Sequence, residues 1–82
     1  MSGANQTMTD REVRDIEIFL SKIEEEIQWT RQELARIPDE TTARGHISRY
    51  AAIQRNLGWI RSWASHANNR TQVARDRIEK EI

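Results

Sequence analysis

Residues 43–78 read ARGHISRYAAIQRNLGWIRSWASHANNRTQVARDRI. Along them Ala43, His46, Tyr50, Ile53, Leu57, Ile60, Ala64, Ala67, Thr71, Ala74 and Ile78 follow one another at spacings that alternate 3 and 4 without a break. At about 100° per residue, that alternation holds one stripe on one helical face, the heptad seam of helices that pack lengthwise. A second seam lies upstream, at Val13, Ile16, Leu20, Ile23, Ile27, Thr30, Leu34 and Ile37, with the same alternation. Neither stretch shows the apolar–polar alternation of a strand. The two seams predict an all-α chain of two long helices, about 10–37 and about 40–80.

The ends of both helices are written locally. Thr9 and Glu12 form a capping box, with Met8 and Val13 placed as a hydrophobic staple around it. Pro38 ends the first helix, since it lacks an amide and biases Ile37 away from helical angles. Asp39 is placed to cap the second, with Glu40 in its first turn. Gly45 and Gly58 each cost about 1 kcal/mol against Ala; Gly45 leaves the start of helix 2 open, and Gly58 would permit a close helix approach. Two helices joined by a short Pro-containing turn make an antiparallel hairpin. With the turn centred near residue 39, Ile27 lies opposite Tyr50 and Ile53, and Ile16 opposite Ile60 and Ala64. Helix 1 then runs out near residue 68, leaving Thr71, Ala74 and Ile78 uncovered. Either a second copy covers that overhang, giving a dimer or higher oligomeric bundle, or helix 2 breaks near 68–70 and a short helix capped by Asn69 folds back.

At 82 residues the chain is one small domain, with 1–8 as a loose tail and 9–82 as the hairpin. A chain this short buries only about 60% of the surface its unfolded form exposes. Cysteine is absent, which excludes disulfides, thiolate metal sites and a cysteine nucleophile. No apolar run approaches the ~20 residues of a membrane span. The N-terminus lacks the basic-then-apolar order of a secretory signal. These features predict a cytoplasmic protein without membrane attachment.

The net charge is zero, yet the charges are segregated. Residues 1–40 hold ten acids and five bases, whereas 41–75 hold six arginines, two histidines and no acid. Opposite charges flanking seams set partner and orientation in helical bundles, so pairing of the acidic and basic helices is one use of this pattern. A second use lies on helix 2, where Arg55, Trp59, Ser62, His66, Arg70 and Arg77 fall in one strip bordered by Trp63. Guanidinium groups take phosphate or carboxylate in a planar fork and indole rings stack on bases, so Arg55, Trp59, His66 and Arg70 are the candidate ligand-binding set. Trp59 and Trp63 also fit plain packing, as a widened apolar arc touching a second neighbour. On helix 1, Ile18 and Trp29 lie opposite the seam on a charged surface. That placement makes them candidate partner anchors together with Trp59, Trp63 and Arg70.

Catalytic chemistry finds little to work with. His46 and His66 lie ~30 Å apart on one helix and cannot share a metal within a chain. Ser62 and His66 can touch, but no acid on that helix orients the imidazole. Glu24–Glu26 lacks the Glu-x-x-His companions of a carboxylate-bridged metal site, and no glycine-rich phosphate loop is present. No enzyme, no cofactor and no metal is expected. Specific DNA binding is disfavoured too, because both helices carry long core seams where a helix-turn-helix has short helices and an exposed polar reader.

The order Pro38, Trp63-Ala64, Ala67, Arg70 resembles a family of small phage proteins, the anti-CBASS and anti-Thoeris sponges of cyclic nucleotide signals. In that family a Pro-containing turn precedes a helix with a Trp-Ala pair, small residues and an Arg; here the proline lies about two helical turns further away. The resemblance implies oligomeric helical hairpins that hold a cyclic nucleotide between protomers without turnover. Three readings follow. One is a non-enzymatic binder that occupies a protein target, of the phage anti-defence kind. The others are an oligomeric cyclic-nucleotide sponge and a purely structural oligomerisation module.

Overall fold

Helix α1 (Asp10–Arg36) begins on the capping box: the Glu12 amide donates to Thr9 Oγ1 at 3.2 Å, and the Thr9 amide to Glu12 Oε1 at 2.8 Å. Asp10 and Glu12 sit in its first turn and Arg36 in its last, each favourable to the helix dipole. Pro38 then occupies a 3-10 turn (Ile37–Asp39) that tightens the end of α1, closed by the Glu40 amide on the Ile37 carbonyl at 3.1 Å. Helix α2 (Ala43–Glu81) runs unbroken through Asn68 and Asn69. This computed structural model describes residues 8–82, so most of the expected N-terminal tail lies outside the described residues. The two helices pack as an antiparallel hairpin, and among the described residues there is no strand.

The connection differs from expectation in one respect that fixes the register. Thr42, not Asp39, caps α2, its hydroxyl accepting from the Gly45 amide at 2.9 Å. Asp39 is consumed by the 3-10 turn, which carries the axis of α1 onward, and the chain reverses over residues 40–42. Every residue by which the reversal moves shifts the pairing by two. Glu33 therefore meets Arg49, Phe19 meets Trp63 and His66, Asp15 meets Arg70 and Glu12 meets Arg77. The expected overhang is thereby removed: α1 reaches Arg77, and Ala74 is the most buried residue, 2% exposed.

Both glycines of α2 take ordinary helical angles. At Gly45 a Cβ would overlap the carboxylate end of the Glu40 side chain, which would have to swing aside. That carboxylate is held in place, accepting from the Thr42 amide at 3.3 Å, the Thr42 hydroxyl at 3.1 Å and Arg49 Nε at 3.1 Å. The Thr42 bonds above all, with Arg49 behind them, hold its pKa below the ordinary carboxylate value. Gly58 faces open space, so it permits no close helix approach.

The hairpin is a rod 63 Å long with a radius of gyration of 18.6 Å, against about 12 Å for a compact chain of this length. Among the described residues only Ala74 and Thr30 (8% exposed) are buried outright. Thr30 is tolerated there because its hydroxyl donates to the Glu26 carbonyl at 2.8 Å.

Candidate functional site

Each seam is built from two columns of residues seven apart, and the structure treats the two columns differently. Ile16, Ile23, Thr30 and Ile37 lie on the centre line against α2, as do His46, Ile53, Ile60, Ala67 and Ala74 against α1; all are buried or half-buried. The companion columns turn away from the partner helix, except at the open end, where Ile78 is half-buried. Val13, Leu20, Ile27, Leu34, Tyr50 and Leu57 remain 37–51% exposed. In their place the residues one position earlier cross between the helices: Glu12, Phe19, Glu26 and Glu33 from α1 face Arg49, Asn56, Trp63, Arg70 and Arg77 from α2. Both helices are thus rotated from the expected facing, and toward the same side of the hairpin.

The contacts made on that side account for the rotation. Arg77 forks onto Glu12, Nη1 to Oε2 at 2.9 Å and Nη2 to Oε1 at 2.8 Å. This bidentate pair, with the Thr9 amide behind it, pulls the Glu12 carboxyl down to a pKa of about 2 and raises that of Arg77. Arg49 bridges Glu33 at 3.3 Å and Glu40 at 3.1 Å, and Arg70 reaches Asp15 at 3.5 Å. Between these pairs lies an aromatic cluster. Phe19 stacks on Trp63 (ring centroids 6.0 Å apart) and on His66 (5.5 Å), while Trp59 stacks on Trp63 at 6.0 Å.

In an antiparallel pair, turning both helices the same way puts the two ion-pairing columns on one broad face and the two exposed apolar columns on the other. The first face carries the aromatic cluster and bridging arginines. Trp29 (46% exposed) and Trp59 (50%) flank it on opposite helices. Ile18 is equally exposed, on the flank of α1 beyond Trp29. The second face is an apolar strip running to the open end, where a hollow of about 270 Å³ lies between Met8, Thr71, Ala74 and Ile78.

The candidate residues are therefore only partly gathered. Trp59, Trp63 and His66 form one cluster, and Trp29 flanks the same face across the hairpin. Arg70, half-exposed, is engaged by Asp15. Arg55 lines a separate hollow of about 250 Å³ whose other walls include Glu33, Glu40 and Arg49, so its carboxylates work against an anion. His46 lies beside Tyr50, ring centroids 5.8 Å apart, and its buried Nδ1 has no hydrogen-bond partner in the hairpin. Phe19, which ties the cluster to α1, was invisible to the seam because it stands one residue before Leu20. The recoverable signal was Glu12 and Glu33, each one residue before a seam position of α1, matched by Arg77 and Arg49, which stand the same way on α2.

Among the described residues no group of histidines and carboxylates could hold a metal ion, and no helix is long and apolar enough to cross a membrane. Comparison with known proteins finds no matching family model, no matching curated protein and no matching solved structure.

Proposed function

We propose that this chain acts by binding rather than by chemistry, as a self-associating helical hairpin that occupies a protein target with its aromatic broad face. The observation that carries the reading is the pair of half-exposed tryptophans, Trp29 and Trp59, on the two flanks of a face already ordered by cross-helix ion pairs. Tryptophan is a preferred interface anchor, and a rigid backing removes much of the ordering cost of binding. The phage anti-defence setting belongs to the same proposal and rests on the Pro38, Trp63-Ala64, Ala67, Arg70 resemblance alone.

A photo-crosslinker placed at position 29 in the producing cells tests the reading. A heteromeric adduct whose yield falls at least fivefold with Trp59→Ala, while self-association is unchanged, supports it; an anchor is worth over about 1 kcal/mol. Adducts to the chain itself alone, or none, would overturn it. The sponge reading draws on the Trp59–Trp63–His66 cluster beside Arg70. It requires Arg70 to exchange Asp15 for a phosphate, with Arg55 and Arg70 supplied by two protomers. A salt-sensitive thermal shift with cyclic di- or trinucleotides, lost in Arg70→Ala, would move the proposal there.

A further inference from the structure

Neither seam points straight at the other helix. The apolar arc of α1 runs from the centre line through Leu20 and Ile27, and that of α2 from its centre line through Tyr50 and Leu57. Each arc is aimed to one side of its neighbour, and both to the same side. A two-stranded coiled coil aims its seams at each other, whereas a four-helix bundle aims all four at a common centre. The hairpin has the geometry of half such a bundle. Its area agrees: 9.7 kDa of compact chain exposes about 5,100 Å², while this hairpin exposes 6574 Å². A broad face 63 Å long and 17 Å across matches the ~800 Å² per partner that a standard interface buries.

The occupant and its orientation follow from the charges at the edges of the apolar face. The α1 edge carries Asp10, Glu17 and Glu24 against one base, Arg31; the α2 edge carries Arg61 and Arg75, with Glu79 paired to Arg75 at 3.0 Å near the open end. Glu24 and Arg61 make no ion pair within the hairpin. A second copy can dock on this face about a two-fold axis either across the helices or parallel to them. The first sets α1 on α1 and opposes acids to acids. The second sets α1 of each copy on α2 of the other. There the register of the hairpin carries over unchanged, so Glu24 comes level with the second copy's Arg61, and Asp10 with its Arg75.

We infer that the apolar broad face is covered by a second copy of this chain, in an antiparallel four-helix bundle whose two-fold axis runs parallel to the helices and which is clasped by two symmetric Glu24–Arg61 contacts. The inference rests on the self-association in the proposed function and specifies its face, stoichiometry and symmetry. It leaves Trp29 and Trp59 on the outside, available to a target.

The test uses exposed residues, so the hairpin itself is not at risk. Sedimentation of the full chain is expected to give a dimer. Glu24→Arg and Arg61→Glu should each weaken it roughly five- to thirtyfold, as two opposite-charge contacts become two like-charge ones. Mixing the two weakened variants should produce a heterodimer of near wild-type affinity, seen by native mass spectrometry, because one contact is then native and the other is restored with its charges reversed. A monomer at all concentrations would overturn self-association altogether. An oligomer that ignores both substitutions, or whose variants do not rescue one another, would overturn this arrangement and leave self-association standing.

Discussion

On one broad face of the hairpin, Glu12–Arg77, Asp15–Arg70 and Glu33–Arg49 bridge the helices and Phe19 stacks on Trp63; on the other, the neighbouring columns of both helices carry mostly apolar side chains that stay about half exposed. The two faces are built from residues adjacent in sequence, and each has its own task. The charged face sets rotation and register, because a forked guanidinium–carboxylate pair tolerates little displacement. The apolar face contributes little to the hairpin and is suited to association. Apolar contact is non-directional and would have accepted several rotations, so the ion pairs select one.

The most forceful way to break this division is to put a charge on the apolar face. Ile27→Asp should leave the α-helical circular dichroism spectrum intact while weakening self-association on the order of a hundredfold, since two copies of the carboxylate would enter one interface. Sedimentation reads the effect. If the variant loses its helical signal instead, the apolar face is holding the hairpin together and the division of labour is wrong.

The centre line between the faces offers a smaller and opposite test. Ala74 is the most buried residue and sits under the first turns of α1. Ala74→Leu should cost about 1–3 kcal/mol by overpacking and lower the melting temperature. Had the chain reversed at residue 39, Ala74 would lie beyond the end of α1 and the same substitution would add apolar contact. Its sign therefore reports the register.

Much of this fold was legible in the sequence for local reasons. The 3–4 spacing demanded long helices, Thr9 and Glu12 wrote the first cap, and Pro38 marked the break. What the spacing could not say was which flank of each seam faces inward, because a two-column seam can turn to either side of its centre line. That choice is made between residues far apart in sequence, by Glu12 finding Arg77 and Phe19 finding Trp63. The register escaped for a similar reason: Asp39 and Thr42 are both good caps, and the 3-10 geometry after Pro38 decided between them. Exposure of Ile18 and Trp29 was readable, since a seam fixes what lies opposite it. That Trp29 and Trp59 share one face was not, for it depends on the rotation.

The smallest effect tests the charged face by titration. Glu12 ordinarily releases its proton at 4.5 and in the hairpin at about 2, chiefly because Arg77 forks onto its carboxylate. A carboxyl with a depressed folded-state pKa stabilises the fold fully above the unfolded value and loses that contribution as pH falls through the folded one. Arg77 stays charged throughout, its own pKa being raised. The wild-type chain should therefore melt higher than Glu12→Gln at neutral pH by a constant margin down to about pH 4.5, and the margin should shrink to nothing near pH 2. Glu40 is depressed as well and drifts in the same direction, so the difference between the two proteins, not the wild-type curve alone, isolates the bridge. A margin that is absent at neutral pH would mean that Glu12–Arg77 follows the packing of Phe19 and Ala74. A margin that closes on the predicted schedule makes it one of the contacts that turned the helices and left the apolar face for another chain.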